Sequence, residues 1–129
     1  MALEIKKPVS FDLEDRLIDF AVSVVRYAEA IQSTKSCSHL ASQLIRCGTS
    51  PALNYGEAQS AESRSDFIHK LRIILKELRE TRIAIKIIAR TSPGGHESNS
   101  NLLVAECDQL ISIFVKSLRT AEANRAREK

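Results

Sequence analysis

The stretch DFIHKLRIILKELRETRIAIKIIAR, residues Asp66 to Arg90, decides the fold. Phe67, Leu71, Ile74, Leu78, Ile85 and Ile88 recur at three- and four-residue spacing, the repeat that lines up side chains on one face of an α-helix. At about 100° per residue, Arg72, Lys76, Arg79, Arg82, Lys86 and Arg90 share one opposing sector. A helix that is apolar on one side and cationic on the other over this length needs partners on its apolar side and water or an anion on the other. Ser65 or Asp66 can cap its start, because a short oxygen-bearing side chain accepts from an unpaired N–H of the first turn.

The same periodicity continues on both sides of this segment. Leu13, Leu17, Phe20, Val24, Ala28 and Ile31 mark a first helix over residues 13–33, capped by Ser10 or Asp12. After the polar connection TKSCS, a second helix over residues 38–61 turns Leu40, Leu44 and Cys47 inward. Pro51 interrupts it: proline lacks the N–H that would bond the Cys47 carbonyl and crowds that turn, which predicts a kink or pause. TSPGGHESNSN, with Pro93, Gly94 and Gly95, is a loop. A last helix over residues 100–124, starting near Ser98 to Ser100, buries Leu103, Cys107, Leu110, Phe114, Leu118 and Ala121, and the terminal NRAREK should fray.

Four amphipathic helices with short connections predict an all-α fold, an antiparallel up-down-up-down four-helix bundle, as a single domain over residues 1–129. Composition agrees, since 43% hydrophobic residues suffice for a core and 4 Gly, 3 Pro and 5% aromatics disfavour sandwiches and barrels. MALEIKKPVSFDLEDRL lacks the apolar segment of a secretory leader, and no run approaches the roughly 18 apolar residues of a membrane span, so the expectation is a cytoplasmic protein without membrane partners. Cys37, Cys47 and Cys107 are an odd number without metal spacing, which fits buried reduced thiols. Net charge is only +3, so any anion binding must come from how the charges are distributed.

Two constellations stand out. The cationic stripe Arg72, Lys76, Arg79, Arg82, Lys86 and Arg90 can follow a phosphate backbone, with affinity arising from counterion release; the alternative is a solvated face partly neutralised by Glu77 and Glu80. No aromatic side chain interleaves the stripe, so base stacking is not supported and binding to RNA or DNA would be insensitive to sequence. On the second helix Gln43, Arg46, Ser50, Asn54 and Glu57 align along one edge, half-buried, where a guanidinium needs carboxylates such as Glu57, Glu77 or Glu80; a structural polar network around Pro51 follows. Ile68, Leu75, Ile83 and Ile87, with Val104, Ile111 and Val115, form surplus apolar strips that suggest an oligomer interface unless a thick bundle covers them itself. Asp66-x-x-His69 is a lone fragment of a di-metal motif, His39 and His96 have no zinc-spaced partners, and there is no phosphate loop or nucleophile motif, so neither metal, cofactor nor catalysis is expected.

The segment Arg46-x-x-x-Ser50-x-x-x-Asn54-x-x-Glu57-Ala58, followed by Ser63, Phe67, Lys70, Lys76-Glu77 and Glu80-Thr81, resembles a bacterial four-helix-bundle family. Its members include proteins encoded in intervening sequences of large-subunit ribosomal RNA genes, and the accessory variability determinant of diversity-generating retroelements is a relative. The resemblance is carried by residues 43–88 and implies a non-enzymatic homopentamer. For the retroelement relatives it implies a basic surface for nucleic acid and a reverse transcriptase partner. The chain departs from the pattern in having no Trp near Ala84 and Ile85, and in having Tyr55 where an aliphatic residue is usual. The expectation is therefore a homo-oligomeric accessory protein that binds nucleic acid through the third helix; a protein-interaction scaffold is the alternative, and an enzyme or metal carrier built on Asp66 and His69 the remote third reading.

Overall fold

The first three helices begin where the chain offers a short oxygen-bearing side chain to the first turn. Asp12 accepts from the Asp15 N–H at 3.1 Å and opens α1, Leu13–Glu29; Thr34 accepts from the Cys37 N–H at 3.2 Å and opens α2, Lys35–Gln59. Ser63 accepts from the Asp66 N–H at 3.0 Å ahead of α3, Arg64–Thr91, and α4 is Glu97–Arg127. This is a computed structural model, and it describes residues 12–31, 34–91 and 97–128. Ser10, residues 32–33 and the Pro93, Gly94, Gly95 and His96 part of the predicted loop lie outside the described residues.

The helices are those expected, with shifted ends. The second helix starts at Lys35 rather than Ser38 because Thr34, within the supposed connection, is its cap. It ends at Gln59, and it runs unbroken through Pro51, so the expected pause is absent. One missing N–H costs a single turn, whereas α2 packs on α1 along one side and α3 along the other, and this packing overrides the local cost. The third helix is capped by Ser63, not by Ser65 or Asp66. The fourth runs on through most of the NRAREK tail, with Arg64 Nε on α3 holding Glu128 Oε1 at 2.6 Å.

Sequential neighbours pack together and α4 closes back on α1, which is the up-down-up-down bundle. Cross-helix pairs show α3 to be antiparallel to both α2 and α4: Arg46 of α2 meets Glu77 and Glu80 of α3 while Glu57 meets Lys70, and Arg72 of α3 meets Glu122 of α4 while Arg82 meets Asp108. The core is continuous and includes Leu17, Phe20 and Val24 of α1, Leu44 and Cys47 of α2, Leu71, Leu78 and Ile85 of α3, and Cys107, Leu110 and Phe114 of α4. Tyr55 stands edge-on to Phe114 with ring centroids 5.9 Å apart. The least intimate neighbours are α1 and α4. They are joined by Arg16, whose Nε and Nη2 donate to the two Glu106 oxygens at 2.7 Å, and by a buried 2.6 Å bond between the Tyr27 and Ser100 hydroxyls. No helix among the described residues is long and apolar enough to cross a membrane.

Candidate nucleic-acid interface

The apolar row of α3 faces the core, which turns the opposite sector outward. Along that sector the six cations divide into two groups. Arg72 Nη2 donates to Glu122 Oε2 of α4 at 2.7 Å, and Arg82 Nε donates to Asp108 Oδ1 of α4 at 2.6 Å. Lys76, Arg79 and Arg90 are exposed, Lys86 is half-buried, and none of these four has an ion pair among the described residues. From Lys76 to Arg90 they cover about 21 Å of helix at about 1.5 Å per residue.

Whether the stripe is neutralised turns on Glu77 and Glu80, and both reach the other way. Arg46 Nη1 donates to Glu77 Oε2 at 3.2 Å, and its Nη2 donates to Glu80 Oε2. The nearby Glu77 charge, more than that of Glu80, raises the Arg46 pKa above its ordinary value. These contacts hold both carboxylates on the α2 side of α3. Lys70 Nζ donates to Glu57 Oε1 at 2.9 Å, and Asn54 Nδ2 donates to the Ser50 carbonyl and hydroxyl at 3.0 and 2.9 Å. The polar residues of α2 and α3 thus form three separate groups, and Gln43 stands outside them with no partner among the described residues. Ser50, Asn54 and Glu77 are half-buried, as the sequence suggested, whereas Gln43, Arg46, Glu57 and Glu80 are exposed. α2 packs against α1 and α3, and Gln43, Arg46 and Glu57 fall on its solvent side.

The apolar strips also divide. Ile68 and Leu75 are buried inside the subunit, which corrects their assignment to an oligomer interface: α4 covers that flank of α3. Val104, Ile111 and Val115 are half-buried against the same core. Ile83 and Ile87 are 52% and 43% exposed and lie among the unpaired cations. The structure adds exposed apolar side chains not singled out in the sequence, namely Leu53 of α2, Leu102 of α4, and Ile18 and Val22 of α1. They escape a periodicity argument because each stands more than about 100° around its helix from the inward row, as an isolated apolar residue on the outer face.

The di-metal fragment gains no further ligands among the described residues. Asp66 is half-buried, His69 and His39 are exposed, and no three of His, Cys, Asp and Glu converge as ligands. All three cysteines are buried and free; the Cys107 thiol donates to the Leu78 carbonyl at 3.1 Å and burial pushes its pKa up to about 12. Burial also raises Cys47. A thiol so held is a poor nucleophile at neutral pH. A groove of about 400 Å³ lies between α1 and α4, lined in part by Phe20, Ser23, Arg26, Tyr27 and Leu102.

Comparison with known proteins places this architecture. A solved structure from Bacteroides thetaiotaomicron, described as a protein with unknown function from the S23 ribosomal protein family, is 28% identical, covers 81% of this chain and 96% of its own, and superposes with a TM-score of 0.74. No curated protein matches the chain. The family described as 23S rRNA-intervening sequence protein matches residues 11–116, which takes in the whole of α1, α2 and α3 and most of α4. With the bundle and this match in agreement, the chain belongs to the 23S rRNA-intervening sequence protein family.

Proposed function

We propose that the chain is a non-enzymatic, homo-oligomeric bundle that binds nucleic acid through the outer face of α3, as an accessory of the ribosomal-RNA-insertion or retroelement type. The observation that carries this reading is the commitment of Glu77 and Glu80 to Arg46, which leaves Lys76, Arg79, Lys86 and Arg90 as a row of cations with no ion pair among the described residues. Such a row gains affinity for a phosphate backbone by releasing condensed counterions, a gain that weakens steeply with salt. The family description, which ties its members to intervening sequences of 23S rRNA, supports the choice of RNA as the first probe. In a retroelement setting the same bundle would also meet a reverse transcriptase.

Titrating a labelled RNA hairpin over a salt series tests the reading. Lys76→Gln, Arg79→Gln and Lys86→Gln together should weaken binding to hairpins of unrelated sequence alike, and lower the slope of log K against log salt by about one unit per lost contact. Unchanged affinity in the triple variant rejects it. The second reading, a protein-interaction scaffold, draws support from Ile83 and Ile87, whose exposed side chains sit within the same row.

A further inference from the structure

We infer that the polyanion surface is the seam between α3 and α4, that Arg119 of α4 belongs to it, and that Asp108 and Glu122 hold Arg72 and Arg82 out of it. This inference rests on the reading of α3 as the nucleic-acid face and extends it to a second helix.

The two ion pairs that join α3 to α4 lie along one edge of the cation row, and they set the register: Arg72 is level with Glu122, and Arg82 with Asp108. Arg119 precedes Glu122 by about one turn, which places it about level with Lys76. It follows Asp108 by three full turns, so it projects within about 20° of the direction in which Asp108 reaches Arg82. Arg119 is exposed and has no ion pair among the described residues. A phosphate backbone lying on Lys76 and Arg79 therefore meets a third cation from the facing helix, with the two carboxylates along its path.

Those carboxylates do two things. Each occupies a guanidinium that would otherwise contact phosphate, and each repels the strand directly. Both pairs are substantially exposed, and ion pairs of this kind are individually weak. An incoming phosphate can therefore compete for either guanidinium, and removing a carboxylate charge should free its arginine without disturbing the fold. Asp108 and Glu122 then act as a built-in restraint on affinity.

The test measures binding of a labelled RNA hairpin across a salt series for the wild type, the α3 triple variant and three further variants, each checked by thermal melting. Arg119→Gln should lower the salt slope by about one unit and weaken binding several-fold near 0.1 M salt. Asp108→Asn combined with Glu122→Gln should steepen the slope by about two units and tighten binding about tenfold or more. Arg26→Gln, on α1 and away from the seam, should match the wild type. If the wild type binds and the α3 triple variant weakens it, while Arg119→Gln and the Asp108/Glu122 variant leave the slope alone, the seam is overturned and the α3 reading stands. If the wild type does not bind, salt-dependent binding by the Asp108/Glu122 variant supports both the α3 face and its restraint, and silence from that variant overturns both.

Discussion

At position 48 the space between α1 and α2 leaves no room for a side chain: a Cβ there would lie 2.5 Å from Val24 Cγ1. Val24 cannot swing aside cheaply, because a β-branched side chain in a helix has essentially one favoured χ1 and this one is fully buried. Gly56, on the same helix, has nothing within 4 Å of its would-be Cβ. Gly48→Ala should therefore cost about 1–2 kcal/mol in urea unfolding, the clash outweighing the gain in helix propensity, whereas Gly56→Ala should stabilise by about 0.5–1 kcal/mol. Truncating Val24 to Ala should remove the Gly48→Ala penalty in a double-mutant cycle. Cys107 sets a second residue-scale expectation. Its pKa is about 12 in the fold, above the ordinary thiol value, so its contribution to stability is intact below about pH 9. The contribution falls by about 1.4 kcal/mol per unit as pH rises from there towards 12, because only the unfolded chain readily loses the proton. Comparing the stability of wild type and Cys107→Ala at pH 8 and pH 10.5 checks this: the gap between them should narrow at the higher pH.

At the scale of single helices, caps decide where the chain turns. Ser63 and Ser65 are both plausible caps for α3, and only one accepts the Asp66 N–H. Ser63→Ala should cost about 1 kcal/mol, and Ser65→Ala, on an exposed helical position, should be close to neutral. Equal effects of the two would contradict the helix start at Arg64. The continuity of α2 through Pro51 teaches the same lesson from the other side. The proline penalty was readable from one letter, but the packing that absorbs it involves α1 and α3 and is not written near position 51. The apolar rows of all four helices were legible because their period is local. Helix ends were read less well, since Thr34 and Ser63 resemble ordinary linker residues until the first N–H groups are seen to point at them.

For the whole molecule, Ile83 and Ile87 raise a conflict that only the assembled bundle reveals. They stand among Lys76, Arg79, Lys86 and Arg90, so one face cannot at once be buried against another subunit and lie free for phosphate. Ile83→Lys with Ile87→Lys separates the two uses. If α3 is the nucleic-acid face, sedimentation velocity should give the wild-type assembly and RNA affinity should hold or rise. If it is a subunit or partner contact, the assembly should dissociate, because two buried lysines would face like charges.

The sequence by itself determined that four helices form, which side of each is apolar, and that α3 carries a long cationic row, since all of these follow from a repeat of three to four residues. Only the tertiary structure decided which of those cations are free. Glu77 and Glu80 reach Arg46 on one neighbouring helix, while Asp108 and Glu122 on the other take up Arg82 and Arg72. The physical reason is that an ion pair depends on the register between helices, and that register is set by how the buried side chains of α2, α3 and α4 interlock when the core closes.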